Sequence, residues 1–150
     1  ATWNGFRVNA SNKQHLPLEE ILSYAKDIAG EDHHFKIVQA PYNSRLQQAA
    51  KEPSQPVRGR RMPLLHAAHQ LGLSVMTSAT LNQGNLCKNL DPDVRKVSAD
   101  LGEQRTDAQA AAQFVRTTPG IVTSLIGMRQ VMHVEENAVL IRHPSNPRTS

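Results

Sequence analysis

Three short apolar stretches, each preceded by a segment of helical periodicity, constrain this chain more than any other feature. Leu18, Ile21, Leu22, Ala25 and Ile28 recur at helical spacing. Pro17 suits the first turn, Glu19 and Glu20 suit its positive end, and Gly30 suits the exit, so residues 17–29 are predicted to form an amphipathic helix. The run from His34 to Gln39 is short, aromatic and β-branched, and Pro41 closes it, which predicts a strand. The rhythm then returns. Met62 to Gln70 carries Leu64, Leu65, Ala67 and Ala68, with Pro63 in its first turn and Gly72 beyond it, and Leu73 to Thr77 follows as a buried strand. A Gly-containing loop over 78–90 leads to a helix starting near Asp91-Pro92. A further Ala-rich helix spans 107–116, Pro119-Gly120 turns, and Ile121 to Ile126 is the third strand, followed by a helix over 131–140. Helix alternating with a near-continuous apolar strand predicts an α/β fold with parallel strands. Ala1-Thr2-Trp3 reads as the last residues of a fourth strand. In such folds the loops at the C-terminal ends of strands hold the chemistry, and here those loops begin at Thr2, Gln39, Thr77 and Gly127.

Length sharpens this. At 150 residues the chain is expected to be a single domain, 1–150, and is too short for a complete eight-fold (β/α) barrel of about 250 residues. It opens at Ala1 in what reads as structured sequence, so a piece of a longer protein is expected. One cysteine, Cys87, excludes an internal disulfide framework and a Cys-based zinc site. No apolar run approaches the length of a membrane span, and no leader of basic start and apolar stretch is evident. The expectation is a cytoplasmic chain with no membrane partner. The net charge of +4 is concentrated between Pro41 and Arg61, where Arg45, Lys51, Arg58, Arg60 and Arg61 face a single acid, Glu52. With Pro41, Pro53, Pro56 and Gly59 this stretch reads as a long basic loop over 41–61, functional or mobile. Arg58-Gly-Arg-Arg61 suggests phosphate binding, against a plain solvated loop. The nearest aromatic is Tyr42, which leaves little for base stacking, and nucleic acid is not the expected partner.

The third strand's end carries the sharpest signal. Gly127 lets backbone approach a ligand, the following helix points free N–H groups and a positive dipole end at the same spot, Arg129 and His133 add donors, and Glu136 and Asn137 lie one turn on. The competing reading is an ordinary strand, turn and helix with surface charges.

The segment Phe114-Val-Arg-Thr-Thr-Pro-Gly-Ile-Val-Thr-Ser-Leu-Ile-Gly-Met-Arg-Gln-Val-Met-His-Val-Glu-Glu-Asn137 resembles the C-terminal signature of the aldo/keto reductases. There it forms the last barrel strand and the helix gripping the adenosine phosphates of NADP. The resemblance places Gly127 and Met128 beside the 2′-phosphate, where Lys and Ser are usual, and His133 where Arg is usual. Arg129 is an alternative phosphate partner, and the choice between NADP and NAD stays open. Glu136 and Asn137 match adenine contacts. Ala1-Thr-Trp-Asn-Gly-Phe6 resembles the end of the fifth strand, with Thr2 near the nicotinamide carboxamide. Val38-Gln39-Ala-Pro-Tyr-Asn43 resembles the sixth, with Gln39 as the other carboxamide partner. Thr77 to Leu86 resembles the seventh-strand loop over the pyrophosphate, with Ser78, Leu81 and Gly84 on the phosphate side and Thr77 where an aromatic often stacks on nicotinamide.

The resemblance implies a partial (half) TIM-type (β/α) barrel, the C-terminal, NADP(H)-binding portion of an oxidoreductase. The family's reaction passes hydride from NADPH to a carbonyl while a Tyr, tuned by Lys and Asp with a nearby His, donates a proton. Those four residues belong to the family's first half, before this chain begins, so no catalytic residue is assigned. Tyr24 is expected in a helix, facing the core or its rim, and Tyr42 has no Lys placed to tune it. The alternative is a non-enzymatic relative serving as a structural or oligomerising module. It would pair through open edge strands near Thr2 and Ile121–Ile126, with itself or with an N-terminal half-barrel.

Three smaller features complete the reading. His33 and His34, if on a strand, would point to opposite faces and could not share an ion, so a helix-to-strand turn is the better reading, and His66 and His69 share a helical face. No metal site is assigned to either pair. Cys87 beside Lys88 suggests a reactive thiol. The tail, 143–150, is expected to be flexible.

Overall fold

The computed structural model describes residues 1–97 and 105–143. Of the tail expected to be flexible, all but His143 lies outside the described residues. Helix α1 spans Leu18–Ala29, with Pro17 as its N-cap and Gly30 at its exit. Strand β1 is Ile37–Pro41, three residues later than the His34 start expected. Pro41 ends the strand from inside: the next ladder bond is made by the Tyr42 N–H to the Ser78 carbonyl at 3.0 Å, so the donor that proline lacks is not needed. After α2 (Gln48–Lys51) come β2 (Gln55–Val57), β3 (Arg60–Met62), α3 (Leu64–Gln70) and β4 (Ser74–Ser78). Then follow α4 (Pro92–Val97), α5 (Asp107–Arg116), β5 (Ile121–Ser124) and α6 (Val131–Ala138), which runs into a 3-10 turn over Val139–Arg142.

β1, β4 and β5 form a three-stranded parallel sheet in that order. The chain start, expected as the end of a fourth strand, lies against β1 as an isolated bridge and not as a strand. Thr2 bridges Gln39 in parallel, the Gln39 N–H donates to the Ala1 carbonyl at 2.7 Å, and the Trp3 N–H donates to the Gln39 carbonyl at 3.2 Å. The molecule is therefore an α/β fold whose sheet neighbours follow chain order. β5 is shorter than expected. A bulge sets Val75 opposite Ile121 but Met76 opposite Thr123, leaving Val122 as the extra residue, 62% exposed.

One sheet face is covered. Val38, Ala40, Val75 and Ile121 bury against Leu18 and Leu22 of α1, Leu64, Leu65 and Ala68 of α3, and Val115 of α5. The opposite face carries Gln39, Met76 and Thr123 side by side in register, none of them buried. α5 starts on a capping box: Thr106 accepts from the Gln109 N–H, and the Gln109 side chain accepts from the Thr106 N–H.

The 41–61 stretch differs from a solvated loop. Asn43 is fully buried, holding its turn through Oδ1, which accepts from the Arg45 and Leu46 N–H groups at 2.9 Å each. β2 and β3 then pair as an antiparallel hairpin. Its two-residue turn, Arg58-Gly59, has φ +49° and +76°, as a primed hairpin turn requires. Val57 and Met62 pack on Ala67 of α3. Gln55, fully buried, donates through Nε2 to the carbonyls of Phe6 (2.7 Å) and Leu16 (3.0 Å), while its Oε1 accepts from the Leu18 N–H (2.7 Å). No helix among the described residues is long and apolar enough to cross a membrane.

Candidate functional site

The loop after β4, the start of α5 and the α6 segment enclose a cavity of about 300 Å³. Six of the cofactor-binding residues expected from the resemblance line it: Leu81, Gly127, Met128, His133, Glu136 and Asn137. They come from segments over 45 positions apart, and the packing of α5 beneath α6 brings them together. Thr106 and Ala108 at the head of α5, and Cys87 from the β4 loop, complete the lining. The readable signal for Thr106 is its Thr-x-x-Gln capping pattern.

Hydrogen bonds fix α6 in place. The Thr106 hydroxyl donates to the Glu136 carboxylate, and Gln109 Nε2 donates to the Glu136 carbonyl at 2.7 Å. Asn137 Nδ2 donates to the His133 carbonyl at 2.8 Å, while the Asn137 Oδ1 atom is buried without a partner. α6 follows its N-cap Gln130 with no side-chain cap and no acid in its first turn. The His133 N–H already donates to the Gln130 carbonyl at 3.1 Å, and the exposed Val131 and Met132 before it lie outside the cavity lining. A Cβ at Gly127 would meet no protein atom within 4 Å. Packing therefore does not demand glycine there, and the space beside it belongs to the cavity.

The other proposed contacts lie elsewhere. Thr2 and Gln39 pair at the sheet's edge, and Ser78 stands opposite Pro41 at the end of β4. Gly84 takes φ +84° in an exposed loop in which Ala79, Asn82 and Gln83 also adopt positive φ, a concentration of costly backbone typical of ligand-facing turns. Arg129 is exposed and does not line the cavity. Thr77 is fully buried with Oγ1 unpartnered. It shares the helix-covered face with Val75, two residues before it, and so is turned away from the open face where a stacking residue would stand.

The titratable groups narrow the chemistry. Tyr24 is 56% exposed, not facing the core. Its hydroxyl donates to Glu20 Oε1 at 2.6 Å, and that carboxylate raises its pKa. Tyr42 is buried, stacked on Phe114 with ring centroids 6.1 Å apart. Burial raises its pKa, opposed by the hydrogen bond that the Thr118 hydroxyl donates at 3.3 Å. Neither is a phenol tuned to give up a proton near neutrality. Burial, then the Glu136 and Asp107 carboxylates, push the Cys87 thiol up despite Lys88, opposite to the shift a reactive thiolate needs. His33 is buried and His34 exposed; His66 and His69 are both exposed. Among the described residues no three His, Cys, Asp or Glu side chains group as metal ligands.

Compared with known proteins, the chain matches no family model and no curated sequence.

Proposed function

We propose that this chain is the cofactor-binding portion of an aldo/keto-reductase-like oxidoreductase, a half barrel that takes the adenosine end of NADP(H) and does not reduce carbonyls alone. The observation that carries the reading is the cavity uniting Leu81, Gly127, Met128, His133, Glu136 and Asn137. The donor set suits the ligand. The His133 ring would meet a phosphate, the orphan Asn137 Oδ1 would accept from an adenine amino group, and Gly127 leaves room. The volume is at the low end for ligand sites and suits a nucleoside phosphate rather than a whole dinucleotide. Thr2 and Gln39, paired at the sheet's edge, would hold the carboxamide end, and Ser78 and Gly84 would lie on the phosphate side. When bound, the cofactor would supply the hydride for a carbonyl carbon. This chain's residues bind and orient, and a paired N-terminal half would bring the proton donor. Calorimetric titration with NADPH tests the reading: saturable binding weakened by Gly127→Val is expected, and no saturation at millimolar cofactor overturns it.

A second reading, a structural or oligomerising module, draws on two sheet edges, at Ala1–Trp3 and Ile121–Ser124, that are unpaired among the described residues, and on the face between them. Such edges invite pairing with another strand. Two copies could close edge to edge, as could one copy with a separate N-terminal half. Light scattering decides: a dimer is expected, and a monomer at 100-fold dilution and at high concentration alike overturns it.

A further inference from the structure

The hairpin β2–β3 carries three arginines that the fold does not use. Arg58, Arg60 and Arg61 are all exposed. Among the described residues none of their guanidinium groups makes an ion pair or a side-chain hydrogen bond. Arg58 is engaged only through its backbone N–H, which donates to both carboxylate oxygens of Glu19 at 3.2 Å. The base of the hairpin is rigid: Gln55, Val57 and Met62 are buried, and His15 Nε2 stands 2.8 Å from the Ser54 carbonyl. The tip is therefore a fixed platform, and less side-chain and loop ordering is required when it meets a partner.

Arg58 is also the wrong residue for its turn. At φ +49° it occupies the left-handed region, which Asn, Asp or Gly fills at lower cost. Folding alone does not explain an arginine at this position. Its exposed guanidinium adds to two others in a four-residue span, Arg60 and Arg61 projecting from opposite faces of β3 so that the tip is basic on both sides. Guanidinium forks match phosphate oxygens better than lysine does.

We propose that this hairpin tip is a binding surface for the phosphate backbone of duplex nucleic acid, contacted without base readout. No aromatic side chain lies on the hairpin, and Tyr42, the nearest in sequence, is buried. The stacking platform that single strands require is therefore missing. The surface is independent of the cavity at α6, and the two can succeed or fail separately.

The test uses the full chain and a fluorescent 20-base-pair DNA duplex, followed by anisotropy from about 20 to 100 mM salt. Three phosphate contacts give a log–log salt slope of about −2.7, so binding weakens about 80-fold over that range. Arg60→Gln with Arg61→Gln leaves a slope near −0.9 and about 4-fold weakening. Lys88→Gln with Lys96→Gln removes the same net charge elsewhere and should leave the slope unchanged. Both pairs are exposed, and circular dichroism verifies that the fold is kept. The proposal is overturned if the control pair lowers the slope equally, or if the Arg pair leaves it intact. Equally tight binding of a single strand, of poly-glutamate or of phosphatidylserine vesicles also overturns it.

Discussion

Replacing Gln55 by Ala is expected to cost about 2–6 kcal/mol. Helix α1 has no side-chain cap of its own, because its N-cap is Pro17. The Leu18 N–H, on a fully buried residue, is instead satisfied from 37 positions away by Gln55 Oε1 at 2.7 Å. Losing that acceptor leaves a buried donor unpaired, worth about 1–3 kcal/mol. The two bonds from Nε2 count for less, about 0.5–1.5 kcal/mol each, since the Phe6 carbonyl keeps a contact from the Ser54 hydroxyl at 3.3 Å and Leu16 is exposed. The total is a large share of the 5–15 kcal/mol that holds a typical domain. Gln55→Glu separates the two halves of the interaction. It keeps the acceptor for Leu18 but turns the donor into an oxygen facing two carbonyls, so the folded carboxyl pKa rises. A raised acid favours the protonated form in the fold. This variant should therefore be most stable below the ordinary Glu value of about 4.3 and lose stability as pH rises above it. Urea unfolding followed by far-UV circular dichroism measures both. A cost below about 1 kcal/mol for Gln55→Ala, or a pH-independent Gln55→Glu penalty, would refute the reasoning.

Three further outcomes follow from particular contacts. Thr106→Val removes the cap of α5 and its bond to Glu136. It should cost about 1–2 kcal/mol in urea unfolding, and on the proposed function it should also weaken NADPH binding severalfold. Arg58→Asn relieves left-handed strain in the hairpin turn and should stabilise the fold by about 1 kcal/mol, read as a higher urea midpoint. Tyr42 has a raised pKa in the fold, so stability should fall as pH rises past the ordinary tyrosine value of about 10. Tyr42→Phe should flatten that alkaline limb, with little loss at pH 7 because the Thr118 bond is long.

The helices were the most legible part of this sequence, because their signals are local. Asp107–Arg116 begins and ends as its pattern indicates, and α1 starts one residue inside its proline. The strands depended on neighbours. β1 runs later than its apolar content suggests, its ladder with β4 opening at Ile37 opposite Ser74, and β5 pairs on through the bulge at Val122 to end at Ser124 opposite Thr77. The hairpin was hidden. Pro56 and the arginines mask a two-residue turn whose evidence is Arg58-Gly59 alone, and Gln55, which ties three segments together, looks in sequence like any polar loop residue. Six candidate site residues converge on one cavity, while Thr77 faces the helices. A strand residue's face depends on register, which a motif does not specify.

The central claim is that the α6 segment and the β4 loop form one nucleotide site. Backbone amide shifts of the 15N-labelled chain, recorded as NADP+ is added, test it directly. Saturable shifts concentrated at Leu81, Gly127–Met128 and His133–Asn137 are expected, and Gly127→Val should abolish them. No shifts at millimolar cofactor, or shifts confined to residues away from that cavity, would contradict it.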